Sequence, residues 1–218
     1  MLYSINNFLN KLLTFTLLNT IIIVLTITTN PIKEVSSTNN IFLILVNKEN
    51  PLSKNYQPID LVELNEQDNI DYIKRENEKM YINKEALFHY KLLYEEALSK
   101  GFELTIFSGY RSYEKQEILF NKNKDLRYLA PPGCSEHQTG LALDISTRNI
   151  GLTTNFTYTK EYQFLVNNAY KYGFIIRYPE TKENITGYYF EPWHFRYIGV
   201  EHSTKIQKKN LTLEEYLS

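Results

Sequence analysis

Four histidines stand in this chain, at positions 89, 137, 194 and 202, and two of them come with carboxylates at short range. His137 lies in "SEHQTG" and is followed seven positions later by Asp144, inside "LALDIS". His194 closes "EPWH", three positions after Glu191. Two imidazoles and one carboxylate make a three-ligand set that leaves a tetrahedral zinc ion one open position, as catalytic rather than structural sites do. That assignment leaves Glu191 available as a general base for a water molecule. Each fragment alone is a weak signal, since Glu191 could be a surface carboxylate and Asp144 a buried acid paired with a cation. The setting of these groups carries the argument. Asp144 lies in an apolar run, and Glu191 and His194 flank Trp193 in an aromatic one, where burying a charge without partners is costly. His89, between Phe88 and Tyr90, reads as structural, and His202 in "EHSTK" as solvated.

Composition narrows the chemistry further. Cys134 is the single cysteine of 218 residues, so neither an internal disulfide nor a thiolate cluster is available, and any metal must be held by His and carboxylate. With 24 basic and 25 acidic residues the net charge is −1, which offers no electrostatic footprint for nucleic acid. The 18 Tyr and 12 Phe against 8 Gly and 7 Pro describe a packed core, with no repeat and no low-complexity segment. Nothing implies a protein partner.

The elements that must position these residues follow an apolar N-terminus. Leu12 to Thr29, "LLTFTLLNTIIIVLTITT", is an uncharged run of eighteen residues, long enough for a helix to cross a bilayer. Lys11 before it favours a cytoplasmic N-terminus. The reading is a single-pass membrane anchor over 1–29, a linker over 30–40 and an extracytoplasmic domain over 41–218. The alternatives are secretion after signal cleavage, or a helix buried in the domain. "IFLILV" (Ile41 to Val46) predicts a buried strand. Asn83 predicts the cap of a helix reaching Lys100 and stopped by Gly101, with Leu87, Tyr90, Tyr94 and Ala97 inward. "FELTIF" predicts a strand. Ser112 predicts the cap of a helix from Tyr113 to about Asn121. "LALDIS" predicts a strand, and Lys160 to Tyr172 a helix with Phe164, Leu165, Ala169 and Tyr172 inward. "FIIRY" and "YYFEPWHFRYIG" complete the sheet. Strands and helices intermix without a βαβ rhythm, so the expected fold is α+β: one domain, with helices flanking a mainly antiparallel sheet that carries the zinc site.

"SGYRS" (Ser108 to Ser112), "SEHQTGLALD" (Ser135 to Asp144) and "EPWHFRY" (Glu191 to Tyr197) resemble the three signature blocks of VanY-type D-alanyl-D-alanine carboxypeptidases. That zinc peptidase group also includes D,D-dipeptidases, L,D-carboxypeptidases and phage endolysin peptidases. The similarity spans Leu45 to Leu217. It implies one Zn2+ per chain held by His137, Asp144 and His194, with Glu191 as catalytic base. It implies that Arg111 polarises the substrate carbonyl or holds the substrate carboxylate, and that Gln116 and Ser135 line the substrate end. Cys134 departs from the expected pattern. The implied activity is removal of the C-terminal D-alanine from peptidoglycan stem peptides. L,D-carboxypeptidase action on tetrapeptide stems is the alternative within the family. A non-hydrolytic wall-peptide-binding module and a purely structural anchored protein are the readings outside it.

One geometric expectation follows. Side chains alternate along a strand, so Glu191 and His194, three apart, would face opposite ways in a regular one. Pro192 has no ladder donor, which predicts a break at Pro192 or Trp193, with Trp193 packed behind the site.

Overall fold

Residues 41–123, 125 and 128–218 are described in the computed structural model of the chain. The apolar run and the linker read from the sequence lie outside them. Among the described residues no helix is long and apolar enough to cross a membrane.

Local chemistry sets the first units. Strands β1 (Leu61–Leu64) and β2 (Met80–Asn83) pair antiparallel, Leu61 opposite Asn83. Asn83 then caps helix α1 (Lys84–Ser99): its side-chain oxygen accepts from the backbone of Glu85 at 3.0 Å and of Ala86 at 3.2 Å. Those are two of the donors that a helix start leaves without an intrahelical partner. The helix buries Ala86, Leu87, Tyr90, Leu93 and Ala97, while Tyr94 is half-buried. Strand β3 (Thr105–Ser108) follows, and Ser112 caps helix α2 (Tyr113–Lys122) by accepting from Lys115 N. Strand β4 (Ala142–Ser146) leads through a loop to helix α3 (Lys160–Asn168). This helix tightens into a 3-10 turn over Ala169–Tyr172 and ends at Gly173, in the left-handed region at φ 87°. Strand β5 (Phe174–Ile176), the short helix α4 (Glu183–Thr186), strand β6 (His194–Tyr197) and helices α5 (Val200–Lys209) and α6 (Leu213–Leu217) complete the order.

The main sheet has the order β3-β4-β6-β5, with every pair antiparallel. Its register separates two faces. Leu143 pairs with Phe195 and Ile106 with Ile145, and these side chains join Tyr90, Leu93 and Phe174 in the main core. Burying each such side chain contributes about 1.5–3 kcal/mol. The alternate positions carry the polar groups: Asp144 opposite His194, and Arg196 opposite the small Ala142. Asp144 also pairs with Ser108, after a register shift between Ile106 and Ser108 that interrupts the alternation of β3. The described residues thus form an α+β domain of antiparallel sheets flanked by helices.

Two expectations need correction. "IFLILV" is not a strand: Ile41–Leu43 form a 3-10 turn and Ile44 to Val46 are irregular. The carbonyls of Phe42 and Ile44 accept from Arg196 Nη2, at 3.1 and 2.9 Å, so a guanidinium takes the place of a ladder. His202 is not fully solvated: it is half-buried with Nδ1 2.8 Å from the Tyr216 hydroxyl, because α5 and α6 fold against each other there.

Candidate metal centre and cleft

His137 is presented by a buried 3-10 turn, Glu136–Thr139, that ends at Gly140 with φ 73°. The positive φ calls for glycine where the turn enters β4, and a Cβ there would also have to displace the end of the Leu61 side chain, 2.5 Å away. The carbonyl of His137 accepts from Arg111 N at 3.0 Å, tying this turn to the loop after β3. From that loop the Gly109 carbonyl lies 2.7 Å from His137 Nδ1. A carbonyl can only accept, so Nδ1 carries the proton and Nε2 presents a lone pair. That Nε2 lies 3.2 Å from Asp144 Oδ2.

Asp144 and His194 are direct cross-strand partners on β4 and β6, which puts their side chains on one face at close range. Asp144 Oδ1 is 3.2 Å from His194 Nδ1. One ligand atom from each of His137, Asp144 and His194 lies within 4.8 Å of the others, all three residues being buried. Among the described residues Asp144 Oδ1 has no hydrogen-bond partner. Lone pairs that converge in a buried pocket require a proton or a metal ion between them, so this set of two imidazoles and one carboxylate fits a catalytic metal.

Electrostatics agree. Burial holds His137 below its ordinary value and outweighs Asp144, so this imidazole is neutral, as a ligand must be. Burial would lower His194 as well, yet the carboxylates of Asp144 and Glu136 outweigh it and push the imidazole up to about 9. Burial opposes ionisation of Asp144, but His137 and His194 hold it well below the usual carboxylate range. In the metal-free chain His194 therefore keeps a proton that a cation would displace.

Glu191 stands just outside β6. Its N–H donates to Tyr178 O at 3.1 Å, and His194 N returns to Glu191 O at 3.1 Å, so Glu191 to His194 form a turn through Pro192 and Trp193. Strand pairing begins only at His194. The Glu191 carboxylate consequently reaches the same side, Oε2 lying 3.7 Å from His194 Nδ1. Burial pushes its carboxyl up to about 7, with Asp144 adding to the shift and His194 and Arg111 opposing it. Trp193 does not pack behind the site. It is half-buried and lines the open cleft, because the break is a turn with Trp193 near its tip.

The remaining candidates face the same cleft of about 180 Å³, which Arg111, Gln116, Ser135, His137, Asp144, Glu191 and His194 all line. Arg111 is largely buried: Nη1 donates to Gln116 Oε1 at 2.8 Å and Nη2 to Ser108 Oγ at 3.1 Å, with Nη2 3.9 Å from Asp144 Oδ2. Gln116 is buried in the first turns of α2 and donates to Ala130 O at 2.6 Å, so it clamps the arginine. Ser135 is buried, and its hydroxyl makes no capping bond to the turn it precedes. Tyr178, Tyr188 and Trp193 supply aromatic walls. His89 lies outside the cleft lining, packing on Tyr197 with Nε2 3.4 Å from Glu85.

Three charged residues near the site escaped the sequence reading. Glu136, Arg177 and Arg196 are fully buried, Glu136 Oε1 accepting from Arg177 Nε at 2.7 Å and Arg196 Nη1 at 2.9 Å. A signal was present for the two arginines, each a charge inside or beside an apolar run as Asp144 is, whereas Glu136 lies in the polar stretch "SEHQTG".

Two buried histidines and an aspartate, with a second, hard-to-ionise carboxylate beside them, are the equipment of a metal-dependent hydrolase. Residues 79–200 match the family described as VanY, D-alanyl-D-alanine carboxypeptidase, and the chain belongs to that family. It is 44% identical over 202 residues to the putative carboxypeptidase YodJ of Bacillus subtilis (strain 168), covering 86% of this chain and 72% of YodJ. The solved structure of the LdcB LD-carboxypeptidase matches with a TM-score of 0.75 and 44% identity over 83% of this chain and 87% of that one. A mutant of the vancomycin-resistance D,D-pentapeptidase VanY from the VanB-type cassette, in complex with Zn(II), matches with a TM-score of 0.67 and 34% identity. That match covers 82% of this chain and 99% of the VanY chain.

Proposed function

We propose that this chain is a zinc-dependent carboxypeptidase that removes the C-terminal D-alanine from peptidoglycan stem peptides ending in D-Ala-D-Ala. The observation that carries the reading is the convergence of His137, Asp144 and His194 donor atoms within 4.8 Å of one another, with Glu191 beside them. These three residues would hold the ion, placing the zinc site on the polar face of the sheet. When bound, zinc lowers the pKa of water towards neutrality and polarises a carbonyl. Glu191, buried enough to keep a pKa of about 7, accepts the proton of the attacking water and passes it to the departing amine. Arg111, fixed by Gln116 and Ser108, offsets charge on the carbonyl oxygen or pairs with the terminal carboxylate of the peptide. Ser135 lines the substrate end of the cleft, and the aromatic walls limit water access.

A retained ligand set together with the base supports hydrolysis over a wall-peptide-binding module. A second specificity is favoured by one observation: the LdcB LD-carboxypeptidase structure shares 44% identity with this chain. Incubation with matched pentapeptide and tetrapeptide stems, followed by product mass analysis, separates the two. Loss of D-alanine from the pentapeptide supports D,D-action; cleavage of the tetrapeptide alone assigns the chain to L,D-action. The apolar run Leu12 to Thr29 supports a single-pass anchor that leaves the domain on the extracytoplasmic side, where peptidoglycan lies; secretion after cleavage is the alternative.

A further inference from the structure

Glu136 uses its two oxygens differently. Oε1 accepts from both Arg177 Nε and Arg196 Nη1. Neither guanidinium is hydrogen-bonded to Oε2, which lies 3.5 Å from His194 Nε2. Both of those atoms are buried, and among the described residues neither has a hydrogen-bond partner. An orphaned acceptor facing an orphaned donor position is an arrangement that closes with a small rotation of the imidazole, and bonds of this kind tighten when the site is filled.

The carboxylate itself is fixed from several directions. Arg177 binds both oxygens of Glu214 on α6, at 2.8 and 2.6 Å, and its guanidinium lies over the Tyr178 ring. That same ring packs against the His194 imidazole with centroids 4.9 Å apart. Arg196 spends its other terminal nitrogen on the Phe42 and Ile44 carbonyls. Both guanidiniums that hold Oε1 are thus themselves anchored, Arg177 by Glu214 and Arg196 by the segment before β1.

We propose that Glu136 is a positioning residue of the metal centre: Oε2 receives the Nε2–H of His194 and thereby presents Nδ1 as the nitrogen beside Asp144. The inference rests on the metallopeptidase reading above. Ligating histidines are oriented through the bond made by their other nitrogen, and losing that partner costs about 10–100-fold in metal affinity. In Glu136→Gln the two guanidiniums claim the amide oxygen, leaving the NH2 group facing Nε2. Donor then meets donor, and the favoured tautomer moves its proton to Nδ1, the nitrogen needed for the metal.

The test compares Glu136→Gln with Glu214→Gln, which disturbs the same buried network without touching Glu136. Zinc affinity is measured by competition with a chromophoric chelator, and site geometry by the visible spectrum after Co(II) replacement. The expected result is zinc binding weakened about 10–100-fold in Glu136→Gln with an altered Co(II) spectrum, against affinity within about twofold of wild type in Glu214→Gln. A folded Glu136→Gln with wild-type affinity and spectrum overturns the proposal, and so does equal weakening by Glu214→Gln. If Glu136→Gln does not fold, 15N NMR of the zinc-loaded wild type decides: a proton on His194 Nε2 supports the role and a proton on Nδ1 refutes it. Failure of the underlying reading is distinguishable, because wild type would then bind no zinc and leave a D-Ala-D-Ala-ended pentapeptide intact.

Discussion

Gly109→Ala changes one hydrogen into a methyl group, and the structure says where that methyl would land. A Cβ at Gly109 stands 2.5 Å from the backbone oxygen of Tyr81, 3.1 Å from Ile82 Cγ1 and 3.3 Å from Met80 Cγ. The first distance is about 1 Å inside ordinary van der Waals contact, and its target is backbone of β2, which cannot rotate aside. The loop after β3 must therefore move away from β2. That motion strains the bond from Tyr110 N to the same Tyr81 oxygen, 2.7 Å long, and shifts the Gly109 carbonyl that orients His137. Overpacking costs about 1–3 kcal/mol, and a lost backbone hydrogen bond adds about 1 kcal/mol. The expected destabilisation is about 2–4 kcal/mol, measured by urea unfolding of the metal-free protein. Zinc affinity should fall about tenfold or more, because His137 loses the bond that fixes its tautomer. Gly101→Ala is the control. It lies at φ 78° with no atom within 4 Å of a Cβ, so it costs only the backbone strain of about 1–2 kcal/mol and leaves zinc affinity unchanged. A Gly109→Ala protein within about 0.5 kcal/mol of wild type, with unaltered zinc affinity, refutes the reasoning.

Glu191→Gln should keep zinc, by metal analysis, while losing most of its turnover, since this carboxylate is cast as base and not ligand; loss of zinc from a folded variant would reverse the two carboxylates' roles. The same substitution should stabilise the metal-free chain at high pH. Folding raises this carboxyl from 4.5 to about 7, so stability is full below about pH 4.5 and is lost as pH rises through about 7, on the order of 3 kcal/mol in all. Urea midpoints equal to wild type at about pH 8.5 as well as at about pH 4.5 would contradict this. His194→Ala should abolish both zinc binding and activity, and full zinc occupancy in that variant would remove His194 from the ligand set. Deletion of residues 1–40 should give a soluble, active protein, judged by sedimentation and turnover; an inactive or insoluble product would mean that the apolar run packs into the domain.

The polar blocks were legible because their chemistry conflicts with their surroundings. Asp144 in "LALDIS" and His194 in an aromatic run announced partners before any fold was known, and the register of β4 against β6 pairs those two residues directly. Helix starts at Asn83 and Ser112 were legible because capping is local chemistry. "IFLILV" misled because an apolar run specifies burial and not pairing; its carbonyls are satisfied by Arg196, from the far end of the chain. Trp193 was assigned to the wrong side for a related reason. Pro192 foretold an interruption, but whether it is a bulge or a turn depends on Tyr178 and Ile145, whose backbone bonds to Glu191 and Trp193 are tertiary. Glu136 was hidden between the two residues of its block that drew attention, and its arginines come from β6 and the end of β5.

The most direct test of the account is hydrolysis of a D-Ala-D-Ala-ended pentapeptide by the purified protein before chelation, after chelation and after zinc is restored. The expected result is release of a single D-alanine, abolished by the chelator and recovered with one zinc per chain. Intact pentapeptide under zinc-replete conditions, or release that continues undiminished in the chelated protein, would contradict it.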